Sequence, residues 1–316
     1  MMKFLKTSGQ DKLKLPYKLR SNQQKIIDTI VKGLTSKNHV VIEAPTGSGK
    51  TFTSLASALP FVTKKNYKII YCVRTNSQQK QVIRELKAFA KAGTKISVVA
   101  IQGRESMCPQ QKNDSELAKS NWSEKSKICK SLKLQSKMGE AGCPYYRKLL
   151  RPTKNLVENW SSKVYSAEEF TENAEKEGIC PYELNKLLLK EAQVVIVPYV
   201  YFFESFIRKY LLGWMNTSID NVITIVDEAH NLPDWSREAA SESLSIESLE
   251  RASHESEKFG LLMGDGTPPT FFLDLVGSAL KSLGEFHISE NDEEGLLPSH
   301  IVSLDSEVPT FETEMM

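Results

Sequence analysis

The segment EAPTGSGKT (43–51) constrains this 316-residue chain more than any other stretch. It follows a short apolar run, HVVIE (39–43), and precedes TFTSLASALPFV (51–62), where small and apolar residues recur at helical spacing. A strand, a glycine-rich turn and a helix in that order aim backbone N–H groups and a positive helix end at a bound phosphate. Gly47 and Gly49 let the backbone curl without side-chain clash. Ala44, Pro45, Thr46 and Ser48 complete the loop, Lys50 is expected to reach the β- and γ-phosphates of ATP, and the Thr51 hydroxyl to bind Mg²⁺.

The surrounding text repeats the strand–helix alternation. YKIIYCVRT (67–75) and KISVVAIQ (95–102) read as strands, and NSQQKQVIRELKAFAKA (76–92) as a helix between them. Alternation stops at Gly103 and resumes with EAQVVIVPYVYFF (191–203) and NVITIVDEAHN (221–231). The simplest account is an α/β domain, with a parallel sheet formed by residues 1–102 and 182–236 and interrupted by a polar, basic, turn-rich insertion, 103–181. Beyond it, 237–316 is acidic and mostly helical, as in SIESLERASHESEKF (245–259), with a loop at 264–270 and an exposed acidic loop at 289–298.

The second half of a nucleotide site lies in ITIVDEAHN (223–231). Asp227 and Glu228 end an apolar strand, one carboxylate toward the metal and the next toward the attacking water. Adjacent buried carboxylates are costly without such a use. His230 is a coupling candidate, or an ordinary polar residue. Upstream, Arg20 and Gln23 stand just ahead of a helix, where a glutamine amide can pair with adenine or is simply part of a polar helix N-terminus.

Five cysteines are too few, and in the wrong setting, for a disulfide framework. Cys72 lies inside an apolar strand and is excluded as a ligand. Cys108, Cys129, Cys143 and Cys180 have 20, 13 and 36 residues between them, and three of the four precede a proline. Zinc sites usually use close cysteine pairs, and a proline after a ligand cysteine occurs in ferredoxins. The pattern favours a [4Fe–4S] cluster over zinc. Metal–thiolate cross-links would fold a segment whose apolar content is low.

The order of phosphate loop, YCVRTNSQ, GRESMC, three further cysteines, CPY and VDEAHN resembles the XPD-type (XPD/DinG-like) iron–sulfur helicases of superfamily two, the archaeal members above all. Ala44, where the strict phosphate-loop pattern has glycine, matches the helicase variant of that loop. The resemblance covers about residues 15–260. It implies a RecA-like motor domain, an inserted iron–sulfur domain and the start of a helical arch domain (237–316). It further implies an ATP-driven, 5′–3′ DNA helicase acting on single-stranded and forked DNA in repair, with ATP, Mg²⁺ and a [4Fe–4S] cluster as cofactors. Arg74, Thr75, Asn76, Ser77 and Gln78 would then contact the DNA backbone, which positions a strand without reading its sequence. The family's second motor, with its arginine finger, has no counterpart before Met316; the chain is then read as a fragment, or as a gene-split half completed by a second chain, and alone is expected to be weakly active or inactive.

Charge is strongly segregated. Residues 1–100 hold 19 Lys/Arg against 4 Asp/Glu, while 237–316 hold 4 against 17. Residues 119–154 hold 10 against 2, with Lys130, Arg147 and Lys148 beside Trp122, Tyr145 and Tyr146. Basic charge interleaved with aromatics suits single-strand contact, or marks a solvated face. The longest apolar run, VVIVPYVYFF (194–203), is too short to span a bilayer. With no secretory h-region in the first residues, a cytoplasmic location is expected. Two other readings stay open: a non-enzymatic nucleic-acid-binding module that keeps the cluster, and a zinc-bearing RNA-remodelling ATPase.

Overall fold

In the computed structural model, residues 13–288 are described, apart from 66, 114–121 and 242–243. The expected acidic loop at 289–298 lies outside the described residues. The chain divides into two compact units, Met1–His230 and Asn231–Met316.

In the first unit, helix α1 (Ser21–Thr35) and helix α2 (Lys50–Lys65) precede strand β1 (Lys68–Val73) and helix α3 (Asn76–Lys91). Strand β2 (Val98–Ala100) leads into α4 (Arg104–Met107), α5 (Pro109–Asn113), α6 (Trp122–Lys137) and α7 (Pro144–Arg147). Helices α8 (Lys154–Ser161), α9 (Ala167–Lys176) and α10 (Pro181–Leu189) return the chain to β3 (Val194–Pro198). Helices α11 (Tyr199–Phe203) and α12 (Ser205–Trp214) then precede β4 (Val222–Val226).

The four strands form one parallel sheet in the order β2-β3-β1-β4. Ile69 pairs with Val194 on one side of β1 and with Ile223 on the other. A strand flanked on both sides and covered on both faces should be apolar throughout, and KIIYCV is buried at every position after Lys68. Helix α3 carries its apolar stripe at Val82, Ile83, Leu86 and Phe89, spaced to put one face on the core. Phe52 of α2 stacks on Phe89 at 5.6 Å between ring centroids, joining the two helices. At the amino-terminal end of β1, the Lys68 ammonium donates to the carbonyls of Lys190 (2.6 Å) and Met215 (2.7 Å). It thereby closes the C-terminal ends of α10 and α12, where a cation is favoured.

Three features differ from the sequence reading. Residues 39–43 run without strand pairing, and Val41 is 93% exposed. Three apolar residues can make a strand, as β2 does over Val98–Ala100, but this run has no strand paired beside it among the described residues. Residues after Pro198 leave the sheet at once as α11, so the expected strand 191–203 is reduced to Val194–Pro198. The insertion is helical rather than turn-rich. Its helices are set by local capping, as where the Ser166 hydroxyl accepts from the Glu169 amide. Trp160, Tyr165 and Phe170 form an aromatic cluster of their own, with centroids 4.9 to 6.0 Å apart.

In the second unit, α13 (Leu232–Ala240) precedes α14 (Ile246–Phe259), which Gly260 ends in the left-handed conformation that favours glycine. Helix α15 (Pro269–His287) packs back on α14 through Ser253–Asp274 (2.9 Å) and Lys281–Glu250 (3.2 Å). No described helix is long and apolar enough to cross a membrane.

Candidate nucleotide site and cysteine group

The phosphate-loop residues gather at the carboxyl ends of the strands, where open α/β sheets bind ligands. Gly47 and Gly49 take φ of 79° and 84°, a conformation that other side chains resist. A Cβ on Gly49 would lie 2.5 Å from Gln23 Nε2. That amide donates to the Ser48 carbonyl at 3.0 Å, while Gln23 Oε1 accepts from the Arg20 amide at 3.1 Å. Gln23 is thus a buried brace between α1 and the loop. The Ser48 hydroxyl is buried without a partner among the described residues, and the space over Gly47 is open. An orphaned hydroxyl beside a helix start suits an anion that accepts hydrogen bonds.

Lys50 Nζ donates to the Ala44 carbonyl at 2.9 Å and lies 3.7 Å from Glu228. Glu228 also meets His230 Nδ1 at 3.3 Å. Asp227 continues the ladder of β4, its amide bonded to the Cys72 carbonyl at 3.0 Å. Burial pushes its carboxyl up, Glu228 adds to the rise, and Lys50 opposes it. A half-buried acid in that condition favours a divalent cation. Tyr71, buried in β1, connects the two halves: Ser54 and Thr51 on one side and Asp227 on the other all act on its hydroxyl. Sequence reasoning passed over Tyr71, since an aromatic inside an apolar strand looks like core.

Three of the candidate cysteines sit at helix starts. Cys143 and Cys180 are the N-caps of α7 and α10 with proline at the first helical position, and Cys108 precedes α5. Proline there needs no N–H partner and fixes the entry of the chain. The Cys143 amide is held by Ser136 Oγ at 2.9 Å and the Leu132 carbonyl at 3.2 Å, tying it to the helix that carries Cys129. The Cys180 amide bonds the Tyr145 carbonyl at 3.0 Å. The thiols act electrostatically on one another: Cys108 on Cys129 and Cys180, and Cys143 on Cys108 and Cys180. Burial pushes up Cys108 and Cys129, and takes Cys180 to about 12. Cys72 is fully buried in β1, away from this group.

Among the described residues, no three His, Cys, Asp or Glu side chains converge on a point that one metal ion would fill. A single tetrahedral ion needs that convergence; a cluster in which each thiolate binds a different iron does not. Around the thiols stands a cationic shell that the sequence did not announce. Arg104 Nη1 donates to Ser126 at 3.0 Å, its Nε is buried without a partner among the described residues, and its guanidinium lies 5.0 Å over Tyr182. Lys133 pairs with Glu183 at 2.7 Å and Lys186 with the same carboxylate at 3.5 Å. Two lysines share one carboxylate, and Arg104 acts on it at longer range. Four thiolates around a metal centre leave net negative charge, so this donor set and its surroundings fit a thiolate-bound cluster.

The candidate DNA contacts are divided. Thr75 and Gln78 form a capping box at the start of α3, with Gln78 Oε1 accepting from the Arg74 and Thr75 amides at 2.8 and 3.0 Å. Arg74, Asn76 and Ser77 are exposed beside it. Lys130, Arg147 and Lys148 are exposed on the insertion, where Arg147 donates to the Ala141 carbonyl and Lys148 to that of Glu177.

Comparison with known proteins gives a consistent answer. Residues 71–249 match the DEAD_2 family. The chain is 26% identical over 280 residues to the regulator of telomere elongation helicase 1 homolog of Arabidopsis thaliana, covering 78% of this chain and 26% of that one. The Caenorhabditis elegans homolog is 25% identical over 286 residues, covering 80% and 27%. The chain spans about a quarter of the length of these curated relatives, and a separate chain carrying a second motor finds no support in them. Among solved structures, an XPD helicase superposes with a TM-score of 0.54 at 23% identity, over 90% of this chain and 44% of that one. A truncated XPD gives 0.50 at 23% identity, over 82% and 65%. These likenesses show a common fold, the RecA-like α/β fold of that helicase.

Proposed function

Because the chain belongs to the DEAD_2 family, we propose that it is the nucleotide-hydrolysing and strand-guiding part of an ATP-dependent DNA helicase of the XPD type. The relatives named above are helicases by title. The supporting observation is that Lys50, Glu228 and His230 lie in contact beside Asp227 and Thr51, in the same unit as Cys108, Cys129, Cys143 and Cys180.

In this reading Lys50 exchanges its Ala44 carbonyl and Glu228 partners for the β- and γ-phosphate oxygens, and Ser48 gains the partner that it lacks. Glu228, released from Lys50, orients water for attack on the γ-phosphorus. As the bond to the β-phosphate oxygen breaks, Glu228 accepts the water's proton, with His230 at its other oxygen. Thr51 and Asp227 would hold Mg²⁺, which neutralises charge on the phosphates. Cys108, Cys129, Cys143 and Cys180 would hold a [4Fe–4S] cluster, whose bonds cross-link the insertion. Arg74, Asn76, Ser77, Lys130, Arg147 and Lys148 track the phosphates of a single strand. Movement is 5′ to 3′ with a role in DNA repair, as the resemblance to the XPD type implies.

A non-enzymatic module is disfavoured, since a lost motor gives no reason to keep Lys50 and Glu228 opposed at 3.7 Å. The test is Lys50→Ala in anaerobically purified protein. It should lose binding of a fluorescent ATP analogue while keeping iron, brown colour and single-strand binding. Unchanged nucleotide affinity would overturn the site. A colourless wild type with stoichiometric zinc would overturn the cluster.

A further inference from the structure

The turn that carries the acidic pair is strained. Glu228 has φ of 49°, in the left-handed region that a side chain with a Cβ resists. Such a conformation persists only where its surroundings impose it. Most of what touches Glu228 cannot impose it, because Lys50 and His230 reach the carboxylate, not the backbone.

The Asp227 carboxylate accepts from the Glu228 amide within the turn itself, and Tyr199 reaches the same backbone from the end of another strand. Tyr199 opens α11 at the end of β3, two strands from β4. Its ring is 2% exposed, and its hydroxyl spans the end of β1 to donate to the Asp227 carbonyl and, at 3.2 Å, to the Glu228 carbonyl. A phenol has one proton, so the two carbonyls share it in a three-centre bond. That bond requires both carbonyls to face the same point, which an ordinary extended continuation of β4 would not allow. The ring itself is fixed by edge-on contact with Phe203, at 5.8 Å between centroids. On the other side of the turn, the Asp227 amide is tied to the Cys72 carbonyl. Asp227 is thereby held at its amide by β1 and at its carbonyl from the end of β3.

We infer that Tyr199 is a positioning residue for nucleotide hydrolysis: its hydroxyl clamps the left-handed turn at Glu228 and so aims the carboxylate into the phosphate site. The role rests on the hydrolytic reading of that site, but the clamp itself does not. Tyr199 touches no substrate atom and acts through Glu228. It also links the acidic pair to β3 and hence to the end of the cysteine insertion, which enters the sheet through that strand.

The test is Tyr199→Phe, which keeps the ring and removes only the hydroxyl, read by hydrogen exchange in the intact chain. Amides of segment 225–231 should exchange about tenfold faster, the scale of one lost hydrogen bond. Segments elsewhere should keep wild-type protection. In a Glu228→Gly background the turn needs no clamp, because glycine accepts positive φ; there the same substitution should accelerate exchange much less. Where hydrolysis is measured, kcat should fall about tenfold with KM for ATP unchanged. Unchanged protection of 225–231 would overturn the clamp, as would faster exchange spread over the whole first unit, which would mark Tyr199 as a core residue only. An equal effect in the glycine background would also overturn it. A wild type that binds no ATP would defeat the nucleotide reading on which the role rests, while the exchange data would still decide the clamp.

Discussion

Replacing Glu183 with Gln tests the charge arrangement around the cysteines most directly. Glu183 Oε1 lies 2.7 Å from Lys133 and 3.5 Å from Lys186, with side-chain exposures of 15%, 22% and 22%. Burial alone would push its carboxyl up, but Lys186 and then Lys133 overcome that and hold it below the usual glutamate range. Removing one partner of a fully buried ion pair costs about 3–5 kcal/mol, because the other charge is left uncompensated. Here some water still reaches the groups, so the cost should fall to about 2–3 kcal/mol, or roughly 1 M in the urea midpoint. That figure applies to metal-free protein. With a cluster on the four thiolates, net negative charge sits beside Arg104, Lys133 and Lys186, and the cations retain a counter-charge when the carboxylate is gone. The loss on Glu183→Gln should therefore shrink by at least about half after anaerobic reconstitution. Urea unfolding of wild type and variant, each with and without iron, measures all four corners of the cycle. Equal losses with and without iron would refute the reasoning, and so would a variant as stable as wild type in the metal-free state.

Two further outcomes follow from the same geometry. Lys87 of α3 binds Glu169 of α9 at 2.5–2.6 Å and, through that hydrogen bond, holds the carboxyl below its ordinary value of 4.5. A carboxyl depressed in the folded state stabilises above its unfolded value and loses that contribution as pH falls through the folded one. Lys87→Ala should cost under about 1 kcal/mol at neutral pH, as the pair is exposed, and the difference from wild type should shrink in melting curves as pH falls below 4.5 and through the lower folded value. Cysteine substitutions should separate packing from ligation: Cys72→Ser buries a hydroxyl in β1 and costs about 1–3 kcal/mol with iron content unchanged, whereas Cys143→Ser should lose iron.

What the sequence made legible follows from how local each determinant is. The capping box at Thr75 and Gln78, the apolar stripe of α3 and the buried run of β1 are written in neighbouring residues. So are the glycines of the phosphate loop, since positive φ at Gly47 and Gly49 is a property of the turn itself. The short run at 39–43 failed as a strand because pairing is decided by a neighbour, not by β propensity over three residues. The insertion hid its helices because they are short, and because their apolar contacts, such as Trp160 on Phe170, join residues that no single helical period connects.

The residues that reasoning from sequence missed are those whose partners are distant along the chain. Tyr199 meets Asp227 and Glu228 from 28 and 29 residues away, and Lys133 meets Glu183 from 50. Each looks ordinary in its own segment: a tyrosine after a strand, a lysine in a basic helix. The available signal was positional. A tyrosine one step past the end of a buried parallel strand must emerge on the same sheet edge as the acidic pair, because all four strands run the same way. A lone glutamate three residues after a candidate ligand cysteine must lie on the first turn of the helix that the cysteine caps. Parallel topology therefore turns two unremarkable residues into neighbours of the chemistry, and strand direction, rather than motif matching, is the rule that would have found them.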